Sequence, residues 1–390
     1  MPKLLPAAAL AALVFLLSGV TSAATLQSLL QKGVEHGYPG FAMLVRYPDG
    51  TIQSAAAGYA SLETKRPLRV DDAFNIASIT KTFTAVAVLR LVDQRRLSLD
   101  AKLANILDPA LVSQIPNSDR ITVAQLLDHS SGIYATNNDM AYVSTLLGPK
   151  ADPMHVWLPQ ELVALAYVNR SKPKGEPGSG HYYSDTNYVL LGLIVQHVVG
   201  KSFKQHVEET IFKPLGMNST YFYSDRLGVG AEADGRVTQG YLRSTDDFRK
   251  FIDVNPMFKR AHGEWFNTTL AAERIDAAAG IVSTLPDLMK FADPLFGGKL
   301  LSADSQKFLI SVGEGMDQAP LNKERVRALQ AVRRSWGVLV YKPGDGPGGV
   351  NTLMAYRPAN GAIYLGFTNS FNFDELDFMM DDVIPDIDPE

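Results

Sequence analysis

Ser78 and Lys81 lie three positions apart in a segment that is poor in charge and rich in apolar residues. On a helix, residues three apart share one face, so the Lys81 amine can lie beside the Ser78 hydroxyl. Serine alone is a weak nucleophile, and a lysine kept neutral by burial or by neighbouring cations can serve as its base. At a helix start the Ser78 N–H also lacks an intrahelical acceptor and can bind an oxyanion. The pair therefore predicts nucleophilic acyl transfer.

The S-x-x-K spacing alone is a weak signal, because the chain contains it twice. The second match runs from Ser171 to Lys174, where Pro173 and the following Gly/Pro-rich loop argue against a rigid helical face. A purely structural interpretation of the first match is that Ser78 caps a helix and Lys81 extends into solvent. Against it, a lysine buried in ionised form without a purpose would cost several kcal/mol. We therefore take Ser78 and Lys81 as candidate catalytic residues.

A second polar segment, Tyr182 to Tyr188, comes directly before an apolar helical stretch. A Tyr183 hydroxyl near the Ser–Lys pair can relay a proton to a leaving group. Asp185 can hold the Lys81 ammonium, or can simply cap the helix that follows. The same Tyr spacing recurs elsewhere, but only here does it lie between a Gly-rich loop and a long apolar helix. Tyr183 and Asp185 are therefore further candidates.

The hydrophobic pattern predicts the elements that must hold these residues. Apolar residues at helical spacing over 82–91 predict a long buried helix that Ser78 opens. Strands at both ends of the chain and helices between them predict an α+β fold, with a helical insertion at about residues 82–265 that meets the sheet at a cleft. The eight acids of residues 374–390 predict a solvated C-terminal helix or tail. The other predicted helices are 123–127, 160–167 and 188–199, and the predicted strands are 41–46, 51–57, 337–341, 350–356 and 363–368.

Composition narrows the possible classes of site. The chain of 390 residues is 46% hydrophobic and 20% charged, which is typical of a globular protein. Its net charge of -4 gives no positive field for nucleic acid, so we expect no nucleic-acid partner. The chain has no cysteine, no H-E-x-x-H motif and no phosphate-binding glycine loop, so we expect neither a metal site nor a cofactor. No serine lies in a G-x-S-x-G turn.

The N-terminus has the three parts of a cleaved secretory signal. Lys3 precedes an apolar run from Leu4 to Leu17, and small residues follow as far as Ala24. The apolar run is shorter than the ~20 residues that a membrane-spanning helix needs. We therefore expect residues 1–24 to be removed, leaving a domain over 25–390 that is periplasmic or secreted and meets the membrane only during export.

Five blocks of the chain share their order and their residues with one family: Phe74–Ala85, Ile121–Gly132, Tyr183–Gly192, Lys213–Met217 and Ala279–Thr284. They resemble the class C β-lactamase and serine DD-peptidase superfamily over roughly residues 35–370. The resemblance implies a three-layer α/β sandwich, an antiparallel sheet flanked by helices with a mainly helical subdomain. It implies an acyl-enzyme on Ser78, with Lys81 as the base and Tyr183 as the proton shuttle. By the same likeness, Asp185 stands where relatives often carry Asn, and His129 is structural.

The third motif of this family lies on a strand that lines the site and is commonly Lys or His, any residue, then Gly. The best match is Pro347-Gly348-Gly349, and no Lys or His occurs from Pro343 onward. We therefore expect this part of the site to lack a cation, with Gly348 and Gly349 beside the substrate. The Val350 N–H would complete an oxyanion hole, because a backbone donor does not depend on side-chain type. The alternative is that this Gly run is a plain hairpin turn.

These observations predict an exported serine hydrolase that forms an acyl-enzyme on Ser78 and cleaves an amide or ester. A D-alanyl-D-alanine carboxypeptidase or another D-amino-acid peptidase fits the compartment, with small molecules, peptides or peptidoglycan fragments as substrates. The absent cation favours instead a carboxylesterase or an amidase for uncharged acyl groups. A third alternative is a non-catalytic penicillin-binding or cell-wall-binding module, against which the retention of Ser78, Lys81 and Tyr183 counts.

Overall fold

The structure is a computed structural model that describes residues 26–136, 140–149, 151–152, 155–168, 173–226, 236–244, 258–321, 324–371 and 374–388. The predicted signal segment, residues 1–24, lies outside these ranges. Within them, we find no helix that combines the length and the hydropathy of a membrane span.

The described elements follow the predicted order of strands, then helices, then strands. In chain order the strands are β1 (Gly40–Arg46), β2 (Ile52–Ser61), β3 (Arg66–Pro67), β4 (Phe74–Asn75), β5 (Tyr221–Phe222), β6 (Tyr241–Arg243), β7 (Lys259–His262), β8 (Trp265–Asn267), β9 (Ile281–Ser283), β10 (Glu324–Val326), β11 (Gln330–Arg334), β12 (Gly337–Gly346), β13 (Val350–Tyr356), β14 (Ile363–Thr368) and β15 (Ser370–Phe371). The helices are α1 (residues 26–35), α2 (Thr80–Asp93), α3 (Pro109–Val112), α4 (Val123–Leu127), α5 (Met140–Leu147), α6 (Pro159–Val168), α7 (Asp185–Val199), α8 (Phe203–Val207), α9 (Leu285–Phe296), α10 (Ala303–Ile310), α11 (Asp374–Asp377) and α12 (Ile384–Ile387).

The main sheet joins the two ends of the chain. Its eight strands lie in the order β10-β11-β12-β13-β14-β1-β2-β3, and neighbouring strands are antiparallel. The two ends of the chain meet where β1 pairs with β14, in a register that places Phe41 opposite Thr368 and Leu44 opposite Leu365. The arrangement confirms the predicted α+β class, in which one sheet is built from distant parts of the chain.

Helices cover both faces of this sheet, which makes three layers. Successive side chains of a strand point to opposite faces. Accordingly Phe41 and Met43 of β1 join the apolar cluster with α1 and the C-terminal helices, whereas Leu44 joins the larger cluster around α2 and α9. The acidic C-terminal segment is therefore not a solvated tail, because Met379 and Ile384 are buried against the sheet and its acids lie mainly on the outer side.

Helix α2 is buried along most of its length, which places whatever it carries inside the molecule. Every residue from Thr80 to Leu89 is buried, and the ring of Phe83 stacks on Phe291 of α9 with 3.8 Å between centroids. A helix that is apolar on all sides is typical of a buried central position. The short strand β4 leads into this helix and pairs with β9, so the segment before α2 lies beside the residues that precede β9.

Candidate active site

Ser78 lies in a 3₁₀ turn, Ala77–Ile79, that runs directly into α2. The prediction that Ser78 opens the α-helix is thus corrected: Ser78 lies in the 3₁₀ turn, and the α-helix begins at Thr80. Ala77 has a φ of 44°, a backbone conformation that costs a non-glycine residue about 1–3 kcal/mol. The Ala77 N–H donates to Asn75 Oδ1 at 2.6 Å, which helps to hold this conformation. The turn therefore fixes the direction in which the Ser78 side chain leaves the backbone.

The structure brings three of the predicted side chains together. Lys81 Nζ donates to Ser78 Oγ at 2.9 Å, and Ser78 Oγ and the Tyr183 hydroxyl are 2.8 Å apart. Lys81 Nζ also donates to the Ala278 carbonyl at 3.0 Å. We call Ser78, Lys81, Tyr183 and Asp185 the Ser–Lys–Tyr–Asp cluster. Its geometry is that of a nucleophile with two hydrogen-bonded proton carriers.

Asp185 completes the cluster as the counter-ion of Lys81. Asp185 Oδ1 lies 2.6 Å from Lys81 Nζ, and the two side chains are 3% and 0% exposed. Burial alone would lower the pKa of Lys81, but the carboxylate of Asp185 outweighs it and raises that pKa above its ordinary value. Asp185 is also the first residue of α7, where the helix dipole favours a negative charge. Lys81 is therefore an ammonium in the resting protein.

Tyr183 lies between the nucleophile and a buried histidine. Burial raises the pKa of the Tyr183 phenol to about 12, although the neighbouring Lys81 ammonium opposes the shift. The ring lies 4.4 Å, centroid to centroid, from the imidazole of His129, whose Nδ1 accepts the Ser184 N–H at 3.2 Å. Burial and nearby lysines hold the pKa of His129 well below its usual value, so it is neutral. His129 therefore positions the Tyr183 segment and does not contact Ser78.

The first turn of α7 is polar but buried, and for that reason the sequence pattern placed the helix start three residues too late. Thr186 Oγ1 donates to the Tyr134 carbonyl at 2.8 Å, and Asn187 Oδ1 accepts from the Ser131 hydroxyl at 2.6 Å. Because each polar side chain has a partner, burial carries no large penalty. These bonds hold Asp185 in place against Lys81.

The third motif of the site is Lys342-Pro343-Gly344 on β12, which corrects the sequence-based expectation. Strand β12 runs to Gly346 and not to Tyr341, so it includes these three residues. A Cβ on Gly344 would lie 2.4 Å from the Ile76 carbonyl oxygen and 3.1 Å from the Ser78 nitrogen. Only glycine permits so close an approach of the strand to the nucleophile turn. The backbone beside the Ser78 N–H is therefore that of Gly344.

Gly348 and Gly349 lie in the turn between β12 and β13, and Val350 is the first residue of β13. A Cβ on Gly348 would meet Ala272, and one on Gly349 would meet the Tyr241 nitrogen. Val350 is buried and pairs with Gly346. Their position fits the alternative of a plain hairpin turn, whereas Gly344 of β12 lies beside the Ser78 nitrogen. The substrate contacts of Gly348, Gly349 and Val350 stay a prediction.

The expectation that this part of the site lacks a cation is also wrong. Lys342 is 1% exposed, and its Nζ lies 5.0 Å from the centroid of the Tyr183 ring. Burial and the nearby Lys81 ammonium lower the pKa of Lys342 to about 7. Among the described residues, Lys342 has no hydrogen-bond or ion-pair partner. The sequence contains the spacing Lys, any residue, Gly at Lys342-Pro343-Gly344. Because Pro343 and Gly344 are typical of the end of a strand, the sequence pattern does not predict that β12 continues through them.

No group of three histidine, aspartate or glutamate side chains within the described ranges is arranged to hold a metal ion.

Comparisons with known proteins agree with this geometry. A family model described as Beta-lactamase matches residues 26–387. A penicillin-binding protein of Bacillus subtilis is 30% identical over 287 residues, which are 73% of this chain and 58% of that protein. The chain spans about half the length of the first curated relatives that it matches, between 41% and 58%.

Solved structures match over nearly the whole chain. A D-amino acid amidase from Ochrobactrum anthropi superposes with a TM-score of 0.76 at 24% identity, covering 94% of this chain and 97% of that one. A D-stereospecific amidohydrolase from Streptomyces superposes with a TM-score of 0.75 at 25% identity, covering 94% and 99% of the two chains. These similarities confirm the resemblance that the sequence blocks carry.

Proposed function

Because the chain belongs to the Beta-lactamase family, we propose that it is an exported serine hydrolase that forms an acyl-enzyme on Ser78 and cleaves the amide bond of a D-amino acid derivative. The observation that carries the proposal is the position of Ser78 Oγ, 2.9 Å from Lys81 Nζ and 2.8 Å from the Tyr183 hydroxyl. A nucleophile hydrogen-bonded to two proton carriers is the arrangement that acyl transfer requires. The name of the Streptomyces relative supports the choice of a D-stereospecific amide.

Acylation uses the cluster as follows. Ser78 Oγ attacks the carbonyl carbon and gives its proton to the neutral amine of Lys81. The Ser78 N–H and the backbone beside Gly344 stabilise the oxyanion that forms. When the C–N bond breaks, the Tyr183 hydroxyl gives a proton to the leaving amine and is reprotonated from Lys81. Ser78 then holds the acyl group and the amine departs neutral.

Deacylation reverses the path with water in place of the amine. As the water oxygen attacks the acyl carbon, Tyr183 accepts a proton from water and passes its own hydroxyl proton to the neutral amine of Lys81. The Ser78 oxygen then leaves with that proton from Lys81, which returns both Tyr183 and Lys81 to the states in which deacylation began. Because Asp185 keeps Lys81 protonated in the resting protein, the neutral amine needed for acylation is a small fraction that increases with pH. We therefore expect the acylation rate to increase with pH through the neutral range.

Lys342 is the proposed binding group for a substrate carboxylate. It is buried, it has no partner among the described residues, and it lies over the ring of Tyr183. An ammonium in this position attracts a carboxylate strongly, because little water competes. The argument for an esterase depended on the absence of this cation, so a D-amino-acid peptidase or carboxypeptidase is the better proposal.

Intact-mass analysis tests the acyl-enzyme directly. The mature protein is incubated with a fluorescent penicillin, with D-alanine p-nitroanilide and with a p-nitrophenyl ester. We expect a mass gain of one acyl group that Ser78→Ala abolishes and that Ser171→Ala, at the second S-x-x-K match, does not. Ester turnover without penicillin labelling would favour the carboxylesterase, and no signal with any probe would favour the non-catalytic module.

Export is part of the same proposal and has its own test. The N-terminal sequence of the protein recovered from the periplasm or the medium should begin after Ala23 or Ala24. An intact Met1 on protein that stays in the cytoplasm would contradict it. Peptidoglycan fragments are the natural substrates that such a location would offer.

A further inference from the structure

The carboxyl group of Glu273 is close enough to Asp185 and Lys81 to interact with their charges, and it has no role in the chemistry described above. Glu273 follows the turn Thr269–Ala271 and is only partly buried. The Tyr142 hydroxyl of α5 donates to its Oε1 at 3.4 Å, and its Oε2 lies 3.7 Å from the position that a Cβ on Gly346 would occupy. Glu273 therefore lies between α5 and the end of β12, which is the strand that carries the third motif.

Glu273 has no ion-pair partner within the described part of the protein. There the Tyr142 hydroxyl is its one hydrogen-bond partner. The nearest lysine of the cluster, Lys81, is already paired with Asp185. Burial and the charge of Asp185 raise the pKa of Glu273 to about 8, and the nearby Asp345 acts in the same direction. At about pH 7 Glu273 is therefore mainly the neutral acid, and a cation bound beside it would favour the ionised carboxylate.

Lys342 presents the opposite charge on a different element of the same cleft. Its side chain is 1% exposed and unpartnered among the described residues, and it lies against Tyr183. A buried amine and a partly buried carboxyl group, each without an ion-pair partner among the described residues, indicate a ligand that carries both an anionic and a cationic group. A dipeptide with a free amine and a free carboxylate is such a ligand, and its scissile amide lies between the two charged groups.

We propose that Glu273 binds the protonated α-amino group of the residue that acylates Ser78, so that the enzyme prefers D-amino acid amides and D-dipeptides with a free amine over N-acylated substrates. This inference rests on the proposed function and names the substrate class of that site. Tyr142 acts as a positioning residue, because its hydroxyl donates to Oε1 and Oε2 makes no hydrogen bond among the described residues. An N-acylated substrate has no positive charge to offer and would leave Glu273 unpaired.

A matched pair of substrates tests the proposal. D-alanine p-nitroanilide and N-acetyl-D-alanine p-nitroanilide differ in the amine charge, and release of p-nitroaniline reports both. We expect Glu273→Gln, which keeps the shape and removes the charge, to lower kcat/KM for the free amine by about 10- to 100-fold. Hydrolysis of the N-acetyl substrate should stay within about threefold of wild type. Tyr142→Phe should raise KM for the free amine more than it lowers kcat.

Glu264→Gln is the control, because it also removes one carboxylate from a side chain that is 58% exposed and paired with Arg243. Glu264→Gln should leave kcat/KM unchanged for both substrates. Fluorescent-penicillin labelling of Ser78 checks that each variant retains a folded site. Equal losses on both substrates, or none, would overturn the role of Glu273 and leave the hydrolase intact. If the wild-type enzyme cleaves only the N-acetyl substrate, the role of Glu273 is likewise refuted and the hydrolase function stands. If it cleaves neither substrate and takes up no label, the proposed function is refuted as well.

Discussion

Asp185→Asn tests the buried ion pair, because the substitution removes the charge and keeps the shape. Lys81 Nζ and Asp185 Oδ1 are 2.6 Å apart, and their side chains are 0% and 3% exposed. Breaking such a pair by removing one partner costs about 3–5 kcal/mol. The loss has an upper limit, because Lys81 can give up its proton instead of remaining an unpaired buried charge. At about pH 7, removing the proton from a lysine of ordinary pKa costs about 4.6 kcal/mol. We therefore expect the free energy of unfolding to fall by about 3–5 kcal/mol at about pH 7.

The sign of the pH dependence follows from the lysine. Burial alone would lower the pKa of Lys81, and Asp185 raises it above its ordinary value. A raised lysine pKa adds stability at every pH below the unfolded-state value of about 10.4, and that stability is lost as the pH rises through the folded-state value. In Asp185→Asn the effect of burial is unopposed, so the pKa falls. The stability difference from wild type should then narrow by up to about 2.7 kcal/mol between about pH 7 and about pH 9.

Urea unfolding at these two pH values and the pH profile of kcat/KM measure the effect. Because the neutral amine of Lys81 becomes available at lower pH, the acid limb of the profile should move down by at least about one pH unit. Asp293→Asn is the control: its contact with Arg46 is 2.9 Å long but 30% and 41% exposed, so the loss should stay below about 1 kcal/mol at either pH. An unmoved acid limb together with a constant stability difference would show that Asp185 does not set the charge of Lys81.

Three further substitutions test the strand beside the nucleophile and the proton shuttle, with steady-state kinetics as the measurement. Gly344→Ala should lower kcat/KM at least about 100-fold, because its Cβ would lie 2.4 Å from a carbonyl oxygen, whereas Gly346→Ala, with nothing nearer than 3.7 Å, should stay within about threefold. Lys342→Ala should raise KM about 10- to 100-fold for substrates with a free carboxylate and leave KM for neutral esters unchanged. Pro347→His should not alter the preference of the enzyme for carboxylate substrates over neutral esters. Since the pKa of Lys342 is lowered to about 7, wild-type KM for carboxylate substrates should rise above that pH. Tyr183→Phe should lower kcat at least about 100-fold, and a rate near that of wild type would refute its role.

The sequence predicts the elements of this protein better than it predicts which residues meet. Short, mainly apolar runs bounded by turn residues place β1, β13 and β14 within one residue of their observed bounds. The spacing of Ser78 and Lys81 identifies a local pair, because one helical turn fixes their distance. Tyr183 is 105 positions from Ser78, and nothing in the pattern of either segment fixes their contact. The contact between Tyr183 and Ser78 is therefore predicted by the resemblance to a family and not by the hydrophobic periodicity.

Lys342 shows why the rest of the site could not be predicted. Proline and glycine interrupt a strand in most sequences, so the pattern ends β12 at Tyr341. In the structure, β11 pairs with β12 only as far as Tyr341, and beyond it the strand has one ladder partner, β13. Pro343 is tolerated because its missing N–H costs little where one side has no strand neighbour, and Gly344 is required by contact with the nucleophile turn. Both reasons are tertiary and leave no trace in the local pattern.

The carboxylate of Asp185 makes the two lysines of the cleft chemically different. Both are buried, and burial alone would lower the pKa of each. Asp185 forms its ion pair with Lys81 and raises the pKa of that lysine, whose ammonium in turn helps to lower the pKa of Lys342 to about 7. One lysine therefore holds its proton until chemistry removes it, and the other gains its charge most readily when an anion arrives. With asparagine at this position burial would lower the pKa of Lys81 as it lowers that of Lys342, so Asp185 is the group that separates the proton-transferring lysine from the carboxylate-binding one.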